Sequence, residues 1–142
     1  MKVLALDIGE KWIGTAISNS TRTFSFPLKT VTLSELDDFL VDTINLEAID
    51  TIVFGLPLTF KGEIGTQAKI TQSIVQDLKT KLATEQGSSL NWVEVDERLS
   101  SQGAQSILRQ RNISAKAGKM AEHSIAAALI LEVFLGQQSS HA

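Results

Sequence analysis

The chain is predicted to be α/β: a mixed five-stranded sheet, three antiparallel strands then two parallel, with helices on both faces. Three observations predict this. Three strand-like runs open the chain with short turns between them, the pattern of an antiparallel meander. Two later apolar runs each follow an amphipathic helix, so each joins the sheet in parallel through a crossover. No repeat, linker or low-complexity stretch divides the 142 residues, a length that suits one domain with a sizeable core.

Each element has a local cause. Residues 2 to 7 form a buried strand. Residues 12 to 18 form a second, returned by a turn over Gly9 to Lys11, where Gly9 is expected to let the backbone bend sharply. Gly14 inside that second strand signals a close approach by another segment of backbone. Residues 23 to 31 alternate weakly and contain Pro27, which fits an exposed strand that can spare a donor. Ser34 is expected to cap a helix in which Leu36, Phe39, Leu40 and Ile44 share one stripe. The run at 51 to 55, stopped by Gly55 and Pro57, reads as a buried parallel strand. A helix from about Thr66 to Ala83 follows, then a fifth strand over 91 to 95. Ser100 or Ser101 should cap a helix through Leu108, a basic loop comes next, and the closing helix is expected to begin near Glu122.

Composition narrows the class. The chain is 43% hydrophobic and 20% charged, ordinary for a soluble globular protein. It has no cysteine, which excludes disulfides and thiolate metal sites. Met1 runs straight into a strand, with no basic leader and no apolar run long enough to span a bilayer. A cytoplasmic location and no membrane partner are expected. The net charge of −3 gives no general basic footprint for nucleic acid. One stretch departs from that: Arg109, Arg111, Lys116 and Lys119 fall within eleven residues that hold no acid. It fits phosphate contacts or a solvated loop.

Two acids carry the chemistry. Asp7 and Glu97 each stand where a hydrophobic strand ends, held by rigid backbone. Brought together by sheet pairing, they would make a hard-oxygen site for Mg²⁺ or Mn²⁺. Asp7 lies in D-x-G-x-K-x-x-G, which keeps a carboxylate open and backbone donors near a phosphate. A turn-capping Asp would explain the same residue, and two-domain ATPases also open with such a hairpin. This chain is too short for their paired domains. Side chains alternate along a strand, so of the adjacent acids Glu97 is the candidate ligand and Asp96 the structural one. Arg98 is placed to steer a phosphate, or to make a surface salt bridge. His123 heads a stripe of Ala127, Ile130 and Phe134, as a metal ligand or a packed side chain. At the start of a helix its ring is expected to stay neutral. Gly55 and Pro57, with Gly62 and Gly65, form a strand-end loop that is a candidate lining of the site.

Four segments together resemble one family. LALDIGEKWIGTAIS, IVFGLPLTFKGEIGTQA, VEVDERLSSQGA and AAALILEVFL occur in order and at matching spacing. They are similar to the YqgF family, the Holliday-junction-resolvase-like branch of the RNase H superfamily, over nearly the whole chain. The resemblance implies an RNase H-like fold and catalytic, metal-holding roles for Asp7 and Glu97, with His123 standing where the family carries a third acid. It implies a metal-dependent endonuclease with two Mg²⁺ or Mn²⁺ ions and phosphate contacts from Lys11, Arg98 and the basic stretch. Two substrates follow from it, the 5′ end of precursor 16S ribosomal RNA or a four-way DNA junction. The first suits a monomer and the second, being two-fold symmetric, a homodimer. A catalytically weakened nucleic-acid-binding protein is the competing reading, because of His123. Trp12 and Asn19 replace the family's usual Arg and Asp, and Trp12 offers a stacking surface in place of a cation.

Overall fold

The computed structural model describes residues 1–59, 61–86, 90–97 and 115–139. Five strands make one sheet in the order β3-β2-β1-β4-β5. They are β1 (Lys2–Ile8), β2 (Trp12–Ser18), β3 (Ser25–Thr32), β4 (Ile49–Leu56) and β5 (Asn91–Asp96). The first three pair antiparallel, and β4 and β5 add in parallel beside β1. The helices are α1 (Leu33–Glu47), α2 (Thr66–Gln86) and α3 (Ala115–Ser139). This is the predicted RNase H-like α/β arrangement, with Pro27 exposed on the edge strand.

The period of two along each strand divides the core into two layers. Leu4, Leu6, Ile13, Ile17, Ile52 and Phe54 pack with Leu36, Leu40 and Ile44 of α1 and Val75, Leu78 and Leu82 of α2. Val3, Ala5, Ala16, Val53 and Val95 point the other way, against Ala127, Ile130, Leu131 and Phe134 of α3. Small residues on that second face let α3 lie close to the sheet. The Ser25 hydroxyl donates to the Ala128 carbonyl at 2.7 Å, tying α3 to the edge strand.

Several boundaries differ from the sequence expectation, among them β3, which runs from Ser25 to Thr32 and not over 23 to 31, and α2, which continues to Gln86. The cap of α1 is Thr32, not Ser34: the Glu35 carboxylate accepts from the Thr32 N–H at 3.0 Å and from its hydroxyl at 2.8 Å. β4 runs from Ile49, two residues earlier than expected, because Lys2 pairs with Ile49 at its start. The closing helix begins at Ala115 rather than near Glu122, so His123 is two turns inside it. The expected helix from Ser100 or Ser101 to Leu108 lies outside the described residues. Among those described, no helix is long and apolar enough to cross a membrane.

Candidate active site

Asp7, Gly55 and Val95 stand side by side across β1, β4 and β5, on the face that α3 covers. Leu6 pairs with Phe54 and Gly55 with Val95, so the three strands reach this point together. They run in parallel, and the site lies at their carboxyl ends, where α/β sheets present their ligands. Glu97 lies just beyond the last residue of β5 and has the same parity as Val95. Asp7 is buried at 7% exposure. Its carboxyl is hydrogen-bonded to that of Glu97, ninety residues away in the chain. Its Oδ2 is also 3.4 Å from Nδ1 of His123, a long contact that a small ring movement would tighten. Asp7 therefore touches both partners.

Three glycines make this convergence possible by leaving space. A Cβ on Gly14 would sit 1.9 Å from the His123 carbonyl oxygen and 2.7 Å from the Ser124 nitrogen. Gly14 pairs with Asp7 in the sheet, so the backbone of α3 rests directly on β2 beside the acid. A Cβ on Gly9 would lie 2.8 Å from the Trp12 carbonyl and 3.2 Å from Cε1 of His123. Gly9 is thus required for room, not for the sharp bend expected of it; among the described residues the glycine in the left-handed region is Gly62, with φ of 78°. At Gly55 a Cβ would meet Ile130 Cδ1 at 2.6 Å and the Glu97 carboxyl carbon at 3.5 Å.

Electrostatics follow from the packing. Burial, then the hydrogen bond and the charge of Asp7, push the Glu97 carboxyl up to about 8. The contact with Asp7 raises His123 above its ordinary value, against the opposing effect of burial. The expectation of a ring kept neutral by a helix start is therefore overturned: the helix start is elsewhere, and the nearest group is an acid. Two buried carboxyls in hydrogen-bond contact repel as anions, so the site favours a proton or a cation between them. Among the described residues no three acid or imidazole groups already form a cation cage. Yet the donor set, two hard carboxyls and an imidazole, fits Mg²⁺ or Mn²⁺ once the proton leaves.

The other candidates divide. Lys11 is exposed in the turn next to Trp12, and Pro57 is half-buried just past β4. Arg98, Arg109 and Arg111 lie outside the described residues, as do the side chains of Lys116 and Lys119. The seat of α3 on Gly14 was signalled by that glycine, but nothing local in the sequence named His123 as its partner. The contact of Ile130 with Gly55 carried no sequence signal.

The family model described as "RuvX: Holliday junction resolvase" matches residues 1–137. A Rubrobacter xylanophilus protein named "Putative pre-16S rRNA nuclease" is 34% identical, over 94% of this chain and 91% of its own length. A Sulfurihydrogenibium protein of the same name is 35% identical, over 97% and 92%. Among solved structures, Thermus thermophilus RuvC in complex with a Holliday junction substrate superposes with a TM-score of 0.59 at 9% identity. That match covers 99% of this chain and 97% of RuvC, and it shows a shared fold. With its sheet order, its strand-end acids and these matches across almost its whole length, this chain belongs to the RuvX family of nucleases.

Proposed function

We propose that this chain, acting as one nuclease domain, is a divalent-metal-dependent endonuclease. Its substrate is structured nucleic acid, and its reaction is processing of the 5′ end of precursor 16S ribosomal RNA. The observation that carries the reading is the contact of Asp7 with both Glu97 and His123 at the carboxyl end of the parallel strands. Buried acids so close together are costly unless they share a proton or hold a cation. Asp7, Glu97 and His123 would together hold the divalent cations. When bound, divalent cations supply an acidified water and neutralise charge on the phosphoryl oxygens.

The chain's own residues do the rest. Asp7 is fixed by its strand, so its carboxyl does not have to be ordered during reaction. Glu97, whose carboxyl is held protonated by burial and by Asp7, would release that proton on holding a cation. His123, seated by Gly14, supplies an imidazole that favours Mn²⁺ over Mg²⁺. Lys11 is exposed beside the site and holds a phosphate as a point charge. Arg98 and the cations from Arg109 to Lys119 extend those contacts along the substrate.

Support for the RNA substrate comes from the names of the relatives. The description of the family model favours a second reading, resolution of four-way DNA junctions by a homodimer. The test is a cleavage assay on a 5′-extended 16S precursor and on a four-way junction, in Mn²⁺ and in Mg²⁺. Wild type should shorten the RNA, and Asp7→Asn should be slower by at least about a hundredfold. Paired, symmetric nicks in the junction with intact RNA would establish the second reading. Equal rates for the two proteins would end the metal-nuclease proposal and leave a nucleic-acid-binding protein.

A further inference from the structure

Trp12 opens β2 and pairs with Thr32 across the hairpin. Along β2, Ile13 and Ile17 belong to the layer under α1 and α2, whereas Ala16 packs beneath α3 and Gly14 touches its backbone. Alternation therefore puts the Trp12 indole on the α3 face, the face of Asp7. It also lies at the same end of the sheet: Ile13 pairs with Ile8, one step past Asp7. The position of a Cβ on Gly9 is 2.8 Å from the Trp12 carbonyl and 3.2 Å from the His123 ring. Those two distances share an origin, so the gap between that carbonyl and the imidazole cannot exceed their sum.

A tryptophan this close to a buried acid cluster has an obvious alternative, burial against α3. It takes it only in part: 36% of the residue stays exposed. Phe24 and Phe26 are also exposed, but they stand at the far end of the hairpin, where Phe26 pairs with Ile17. Among the described residues Trp12 is the exposed aromatic at the site end of β2 and β3. Its neighbour Lys11, in the turn that leads into β2, is exposed as well, so a cation precedes the flat π-surface at this end of the sheet. This is the combination that holds single-stranded nucleic acid, the cation on the backbone and the ring against a base.

We infer that Trp12 is a base-stacking platform, which holds an unpaired nucleobase at the site end of the sheet, beside the acid cluster of Asp7. The inference rests on the nuclease reading for its substrate class, but it concerns binding and not the chemical step. A stacked base would have to be out of its helix, so the site would select single-stranded ends or frayed junctions over continuous duplex. Stacking is tolerant of base identity, because every base presents a π-face.

The fluorescence of the protein offers a clean test. The second tryptophan, Trp92, packs against the α1 and α2 layer with Lys79 over its ring, on the opposite face of the sheet. In a Trp92→Phe protein the emission reports Trp12 alone. Titration with single-stranded RNA and DNA dodecamers in EDTA, where no cleavage intervenes, should quench that emission. Trp12→Ala should bind the same oligonucleotides about 5- to 140-fold more weakly, and Trp12→Phe should recover most of the loss. No quenching in Trp92→Phe would overturn the inference, whatever the folding of the alanine variant. So would wild-type affinity in Trp12→Ala, or full recovery by Trp12→Lys, which would mark a phosphate contact. Quenched binding without cleavage in Mn²⁺ would sink the nuclease proposal and leave the stacking platform standing.

Discussion

Replacing Gly14 with alanine probes the seat of α3 directly. The added Cβ would lie 1.9 Å from the His123 carbonyl oxygen and 2.1 Å from its carbon. A close carbon–oxygen contact is about 3.3 Å, so α3 would have to withdraw by about 1.4 Å at this point. The obstacle is backbone, so no rotamer change relieves it. Ser124, the next residue, is buried, and Ala127 and Ile130 behind it are fully buried, which resists a local bulge. Overpacking of this kind costs about 1–3 kcal/mol, and the far smaller flexibility of a helix backbone points to the upper end. The same retreat carries His123 away from Asp7, from 3.4 Å to beyond any direct contact. A misplacement of about 1 Å near a reacting centre can cost about a hundredfold in rate. Urea unfolding and Mn²⁺-supported cleavage, measured on one preparation, give both numbers. Stability within about 0.5 kcal/mol of wild type together with full activity would refute the close seating of α3 on β2.

Other perturbations test separate parts of the account. In EDTA, Glu97 has a folded-state value of about 8 against an ordinary 4.5, so its contribution to stability is whole below 4.5 and lost as pH rises through 8. His123, raised from 6.5, acts in the same direction, its contribution lost above its folded value. The urea midpoint of the metal-free protein should therefore fall between pH 5 and pH 8, and fall less in Glu97→Gln; parallel curves for the two proteins would contradict this. Because a cation must displace the Glu97 proton, Mn²⁺ affinity should rise about tenfold per pH unit below 8 and level off above it. Calorimetric titration at pH 6, 7 and 8.5 measures that slope, and a flat profile would mean that no proton is released. Thr32→Ala removes the cap of α1, on the face opposite the site. It should cost about 1 kcal/mol in unfolding experiments and leave cleavage unchanged.

Most of the sheet was legible because strand alternation is a local property. Leu4 and Leu6 on one face and Val3 and Ala5 on the other are set by period two, and the short turns fix the antiparallel order. The start of α3 was not legible. Residues 115 to 121 contain Gly118 and two lysines and no apolar stripe, so they read as a basic loop, yet they are helical. That error moved His123 to a helix terminus and reversed the expected effect on its ring. Asp7 and Glu97 could be found as acids at strand ends. Their hydrogen bond could not, since it depends on the β1-β4-β5 register. Trp12 was visible as a stacking surface, and the face it occupies came from the pairing of β2.

The convergence of Asp7, Glu97 and His123 on one divalent cation can be observed by NMR, using Mn²⁺ as a paramagnetic probe. The chain has two histidines, His123 in the site and His141 in the terminal tail, so the second serves as an internal control. Substoichiometric Mn²⁺ should broaden the ring signals of His123 and spare those of His141, and Asp7→Asn should abolish the selectivity. Sharp His123 signals at one equivalent of Mn²⁺, or equal broadening of both rings, would contradict the account.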